Sequence, residues 1–173
     1  FHWRCEAGNT VFNHNPAQIF DDGAMVFDSV PYAKDYTMII VYKPVSSGET
    51  MLWQMYFADS SMRGLTTERI LSDSISIRYA ENTSLIPVIN TLRQSSPDST
   101  SPYVRLAVGG DSAAKVAEVL YYTSRLGNAA LRKVQSCLAV RYGITLGPVS
   151  YIDGTGRPVW NYADSGLYHH RVT

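Results

Sequence analysis

The 173-residue sequence is short of charge, of cysteine and of long apolar runs, and each shortage removes a class of function. No apolar stretch approaches the roughly 20 residues that a membrane-spanning helix needs, so no membrane insertion is expected. Charged residues make up 17% of the chain, against about 25% in an ordinary soluble domain. Fifteen basic residues balance fifteen acidic ones, and no basic cluster stands out. The chain has no field with which to draw in nucleic acid, and no nucleic-acid partner is expected. The two cysteines, Cys5 and Cys137, form neither a C-x-x-C nor a cluster with histidine, which argues against a structural zinc site. They read either as one disulfide tying the N-terminal segment to a late helix or as two inert thiols, and their spacing fits both.

Catalytic patterns are missing as well. There is no Gly-x-Ser-x-Gly elbow, and His2, His14, His169 and His170 stand in terminal or loop segments, so no Ser-His-acid triad is expected. His169 and His170 are adjacent in an extended segment, point to opposite faces and make a poor metal pair. A retaining glycosidase needs two carboxyl groups about 5 Å apart, which a strand supplies as Glu-x-Asp-x-Glu because alternate residues share a face. Glu6, Glu49, Glu68, Glu81 and Glu118 all stand apart from such partners. Glu118 alone is oddly placed, in the middle of an apolar strand, and reads as a buried or rim carboxylate bonded to backbone or to an arginine such as Arg125. Phe1 in place of an initiator Met, and Thr173 without a terminating element, predict a processed or trimmed chain that continues into further modules.

What remains is strand-forming sequence. Twelve residues are tyrosine, a strand former and a common contact residue at binding surfaces. Strands are predicted at 23–27, 36–44, 51–57, 74–80, 86–92, 103–109 and 115–122. "YTMIIVYKP" (36–44) is apolar on both faces, as a central strand is. "SISIRYA" (74–80) alternates, with Ile75, Ile77 and Tyr79 on one face and Ser76 and Arg78 on the other. "YVRLAVG" (103–109) alternates with Val104, Leu106 and Val108 inward. Pro87 places the strand at 86–92 at an edge or a strand start. About seven short strands with turn residues between them predict an all-β, two-sheet antiparallel sandwich.

A helix at 128–142 breaks the pattern. Leu131, Val134, Leu138 and Tyr142 lie on one face, and Arg132, Lys133, Gln135, Ser136 and Arg141 are expected mostly on the others. Gly127 or Asn128 is placed at its N-cap and Gly143 at a left-handed C-cap. One such helix is expected to plug an end or edge of the sandwich. Residues 147–173 are expected to form a C-terminal extension with a hairpin around "DGTG" (153–156).

"AEVLYYTSRL" followed by "LRKVQSCLAVRYGITL" resembles the closing strand and helix of concanavalin A-like (laminin-G-like) jelly-roll domains in exported surface proteins of Bacteroidetes. The matching positions are Ala117, Glu118, Arg125, Leu126, Cys137, Leu138, Ala139, Arg141, Tyr142, Gly143, Ile144, Thr145 and Leu146. Two positions depart from that pattern. Gly127 and Ala130 replace the usual capping box, and Cys137 stands where Tyr is usual. The resemblance implies a jelly roll over 1–146 and a non-catalytic binding or adhesion module at the cell surface or outside the cell. Its expected partners are glycan or surface protein, together with neighbouring domains of the same chain. Two alternatives are a polysaccharide hydrolase of the same fold and a structural spacer. Related jelly rolls hold calcium, which makes Asp21 and Asp22 of "FDDG" candidate calcium ligands, although Asx-turn chemistry explains that stretch and "DGTG" equally. Asp-Ser steps at Ser29, Ser74, Ser99 and Ser112 resemble the O-glycosylation motif of exported Bacteroidetes proteins. Candidate glycan contacts are Trp53, Tyr56, Arg78, Tyr79 and Tyr103, with Gln54 and Asn90 for hydroxyl groups. Trp53, set among apolar residues, also reads as core.

Overall fold

The computed structural model describes residues 4–6, 10–20, 23–73, 75–78, 86–110 and 114–164. It is mostly β, with antiparallel sheets and one α-helix. The strands are β1 (Arg4–Glu6), β2 (Ala17–Phe20), β3 (Ala24–Pro31), β4 (Asp35–Pro44), β5 (Met51–Tyr56), β6 (Met62–Thr66), β7 (Arg69–Ser72), β8 (Ile75–Arg78), β9 (Val88–Ser95), β10 (Tyr103–Gly109), β11 (Ala114–Tyr122), β12 (Tyr151–Ile152) and β13 (Pro158–Trp160). One sheet has five strands in the order β1-β2-β11-β4-β9, a second has six in the order β3-β10-β5-β6-β7-β8, and β12 and β13 form a hairpin.

The two large sheets share one core. Tyr36, Met38, Ile40 and Tyr42 of β4 meet Trp53 and Met55 of β5, Leu65 of β6, and Val104, Leu106 and Val108 of β10. The alternation in "YVRLAVG" therefore holds, with Val104, Leu106 and Val108 buried and Tyr103 and Arg105 exposed. The other face of β4 is buried too. Ile39 and Val41 pack with Leu138 and Tyr142 of the helix α1 (Asn128–Tyr142), with Leu131 and Val134 alongside. The doubly apolar strand is thus explained by two different covers, a sheet on one side and a helix on the other.

This placement corrects the expectation for α1. The helix lies on the outer face of the five-stranded sheet and forms a third layer instead of plugging an end. Its approach is fixed by the turn before it. Buried Thr37 donates to the Ser124 carbonyl (3.0 Å) and accepts from the Leu126 N–H (2.9 Å). Arg93 donates to the Leu126 carbonyl (3.1 Å) and to Asn128 Oδ1 (2.8 Å). Gly127 is the N-cap and carries no side-chain cap. At the other end Gly143 takes φ 64° and its N–H bonds to the Ala139 carbonyl. Asn13 and Asn15 both donate to the Arg141 carbonyl, so the N-terminal turn satisfies an orphan acceptor of the helix end.

Ser136 also departs from expectation. It is buried, and its hydroxyl accepts the Ile152 N–H at 3.1 Å, because the hairpin docks on that side of α1. Tyr151 anchors the hairpin, accepting from the Leu146 N–H and donating to the Ile144 carbonyl. Ile77 is 57% exposed. It sits on the outermost strand, and the core contacts stop at Ile70 of β7. Pro87 precedes β9, which is the edge of the five-stranded sheet, as a residue without an N–H requires.

Candidate functional site

The candidate contacts fall into four groups. Trp53 is completely buried in the inter-sheet core, so it is not a surface contact and the expectation that it binds ligand is corrected. Arg78 ends β8 at the far edge of the six-stranded sheet, paired with Arg69. Tyr79 lies outside the described residues, as do Asp21, Asp22, Ser74 and Ser112. Tyr56 and Tyr103 are brought together on the outer face of the six-stranded sheet.

That pairing follows from register. Along β10, Tyr103 and Arg105 face outward because the intervening residues fill the core. Arg105 stands opposite Tyr56 of β5, which makes Tyr103 the diagonal neighbour of Tyr56, roughly 7–8 Å away. The rings are 39% and 52% exposed respectively. Arg105 stands beside both in the register and pairs with Asp28 of β3 at 3.2 Å. Gln54, two residues before Tyr56 and on the same face, accepts a hydrogen bond from the Tyr56 hydroxyl. The result is a strip of two phenol rings, a guanidinium, an amide and a carboxylate on rigid strands. The Asp28–Arg105 pair is solvent-exposed and contributes at most about 1 kcal/mol, so a ligand can recruit the guanidinium at little cost. Asn90 lies on β9 in the other sheet and does not join the strip. Asp28 and Arg105 were not anticipated. The signal for Arg105 was present in "YVRLAVG", where the alternation that buries Val104 and Leu106 sends Arg105 to the same face as Tyr103.

Residues 130–173 match a family described as a domain of unknown function (DUF8202). No curated protein matches the chain. The matched stretch begins in the first turn of α1 and takes in the docked hairpin, about a quarter of the chain. It does not reach the tyrosine strip.

The remaining sequence candidates resolve locally. Cys137 is a free thiol exposed on α1, so of the two readings of the cysteines this residue has the unbridged one. Cys5 lies in β1 opposite Gln18. Ser29 is exposed in β3, whereas the Ser99 hydroxyl is engaged with the Ser101 backbone. In "DGTG", Asp153 Oδ1 accepts from the Thr155 N–H, the Thr155 hydroxyl and the Arg157 N–H. These bonds hold the Asp153 carboxyl below its ordinary range, led by the Thr155 hydroxyl. Among the described residues no three His, Cys, Asp or Glu side chains gather as metal ligands, and no helix is long and apolar enough to cross a membrane.

Glu118 has a structural role, and its arginine is Arg141, not Arg125. A bulge between Val116 and Glu118 in β11 turns the carboxylate toward α1, where it accepts from Arg141 (3.0 Å) and from the Tyr142 hydroxyl (2.7 Å). Burial first, and this hydrogen bond second, push the Tyr142 hydroxyl up to about 12, against about 10 in an unfolded chain. The folded state therefore favours the neutral phenol. This contribution is fully present below pH 10 and is lost as pH rises through about 12. Burial also raises the Tyr36 and Tyr121 hydroxyls. The expected result is a thermal midpoint that falls steadily from pH 10 to pH 12, with a shallower fall in Tyr142→Phe. Parallel curves for the two proteins would show that Tyr142 does not titrate with unfolding.

Proposed function

We propose that this chain is a non-catalytic, glycan-binding jelly-roll module of the concanavalin A-like class, working at the cell surface or outside the cell in an exported protein. The observation that carries the reading is the strip in which Tyr56 and Tyr103 flank Arg105 on one exposed sheet face. Phenol rings offer flat apolar faces for pyranose rings, and the guanidinium and the Gln54 amide offer hydrogen bonds to hydroxyl groups. Strand order supports the jelly-roll assignment. The chain changes sheet at β2–β3, β3–β4, β4–β5, β8–β9, β9–β10 and β10–β11, and late strands β10 and β11 pair with early β3 and β4. The closing segment's resemblance to exported surface domains supports the location. Fold by itself does not set function, so the reading rests on the strip.

The test is a glycan array probed with the purified chain, with and without calcium, followed by titration of Tyr56→Ala and Tyr103→Ala against the best ligand. Binding to a defined glycan class is expected. Each variant should weaken it roughly tenfold, about 1.4 kcal/mol, with the thermal midpoint unchanged. A blank array at high protein concentration, or binding that both variants retain in full, refutes the assignment.

A further inference from the structure

A cleft of about 350 Å³ opens between the two sheets, walled by β2 and β11 of one and by β3 and β10 of the other. Its walls are almost entirely apolar, with Phe20, Phe27, Val30, Leu106 and Val119 among them. Two irregularities of the ladders lie on it. Between Val104 and Leu106 of β10 the partner strand β3 carries one extra residue, Val30 to Phe27. In β11 the extra residue is Ala117, between Val116 and Glu118. A bulge bends its strand and re-aims the neighbouring side chains. Here one bulge stands on each wall, and Phe27 is left 45% exposed at the mouth. The edges of the sandwich are thereby held apart where close-packed strands would seal them.

The lining also carries two uncharged polar side chains, Tyr121 and Gln18; the Tyr121 hydroxyl is engaged, donating to the Pro31 carbonyl at 3.0 Å, which leaves Gln18 for recognition. Gln18 of β2 stands opposite Val116, on the inward face of the strand. Its amide nitrogen donates to the Ile19 carbonyl at 3.1 Å, and among the described residues nothing donates to its amide oxygen. No lining residue is cationic, and the one acid, Glu118, is held by Arg141 and Tyr142. An anionic ligand would find no counter-charge. We propose that this cleft is a second binding site, distinct from the tyrosine strip, for a neutral and largely apolar molecule that carries one hydrogen-bond donor for Gln18. Its size sets the scale. An apolar protein cavity of about 150 Å³ holds benzene, so an open cleft of this volume takes a compound of about two to three fused or linked rings.

The test uses N-phenyl-1-naphthylamine, a neutral three-ring amine with one N–H, whose emission rises on leaving water. Titrated into the purified chain, it is expected to bind saturably at one molecule per chain. Gln18→Leu should weaken it several-fold, and Val30→Trp, which fills the cleft, should weaken it more than tenfold while the circular dichroism spectrum stays native. On the unaltered chain, methyl resonances of Val108, Val116 and Val119 should shift during the titration while those of Val45, Val140 and Val159 stay fixed. The methyl measurement decides the matter even if Val30→Trp fails to fold. Absence of saturable binding, shifts confined to the second set of valines, or native affinity in a folded Val30→Trp overturns the proposal.

Discussion

Trp53→Ala is expected to destabilise the protein by about 3–5 kcal/mol, lowering the thermal midpoint by roughly 6–20 °C for a domain of this size. The indole is completely buried at the centre of the inter-sheet core. Its removal leaves a void between the β4 and β10 side chains, which are fixed by ladders on both sides and cannot collapse into it. Trp53→Phe should cost much less. Among the described residues the indole N–H has no hydrogen-bond partner, so the smaller ring loses contacts but also removes a buried unpaired donor. Tyr56→Ala and Tyr103→Ala serve as surface controls and should stay within about 0.5 kcal/mol of the parent. The two behaviours separate a core aromatic from a contact aromatic. If Trp53→Ala instead kept its midpoint and lost glycan binding, the core placement would be refuted. Denaturant or thermal unfolding of the four proteins decides the question.

The second large effect concerns the third layer. Leu138→Ala should cost about 2–5 kcal/mol, because Leu138 is almost wholly buried among Ile39, Val41 and Phe12 under α1. Val140, two residues along the same helix, is 52% exposed, and Val140→Ala should change stability by no more than about 0.5 kcal/mol. Helix propensity favours alanine over both residues, so the difference between the variants reports packing alone. Amide exchange should show α1 losing protection first in Leu138→Ala. Equal costs for the two variants would mean that α1 does not lie on the sheet face as described.

The sequence made some levels of this structure plain and hid others. β4, β5, β10 and β11 were legible because each is long, apolar or cleanly alternating. The bounds of α1 were legible because a 3.6-residue stripe ends at a glycine. The short strands β1, β2, β6 and β7 were not. Segments such as "AQIF" and "MRGLT" are too brief and too mixed to show a period of two, and tertiary pairing makes them strands. The position of α1 was misjudged for a similar reason. The doubly apolar β4 admits a cover of either kind, and only the assembled sheet shows that Ile39 and Val41 face a helix. For the strip, local alternation placed Tyr103 outward, but register between β10 and β5 was needed to bring it to Tyr56. The burial of Ser136 depends on a hairpin that starts fifteen residues later, which no local pattern reveals. The cleft depends on one extra residue in each of two strands, and its only mark in the sequence is a phase shift in the alternation, from Phe27 to Val30 and from Val116 to Val119.

β4 has one more consequence. The run from Tyr36 to Tyr42 carries no charge. Phe12, Ala17 and Phe20 precede it in its clusters, but most of its shelter is synthesised after it: β9 and β11 at its edges, β5 and β10 on one face, α1 on the other. Most of this shelter is non-local, so closing it requires bringing distant parts of the chain together before most of the apolar surface is hidden. An uncharged, β-prone heptapeptide left bare in this way is a template for misassembly between nascent chains. The ribosome delivers β4 before most of its covers, which makes the interval between them a hazardous stage in the life of the molecule.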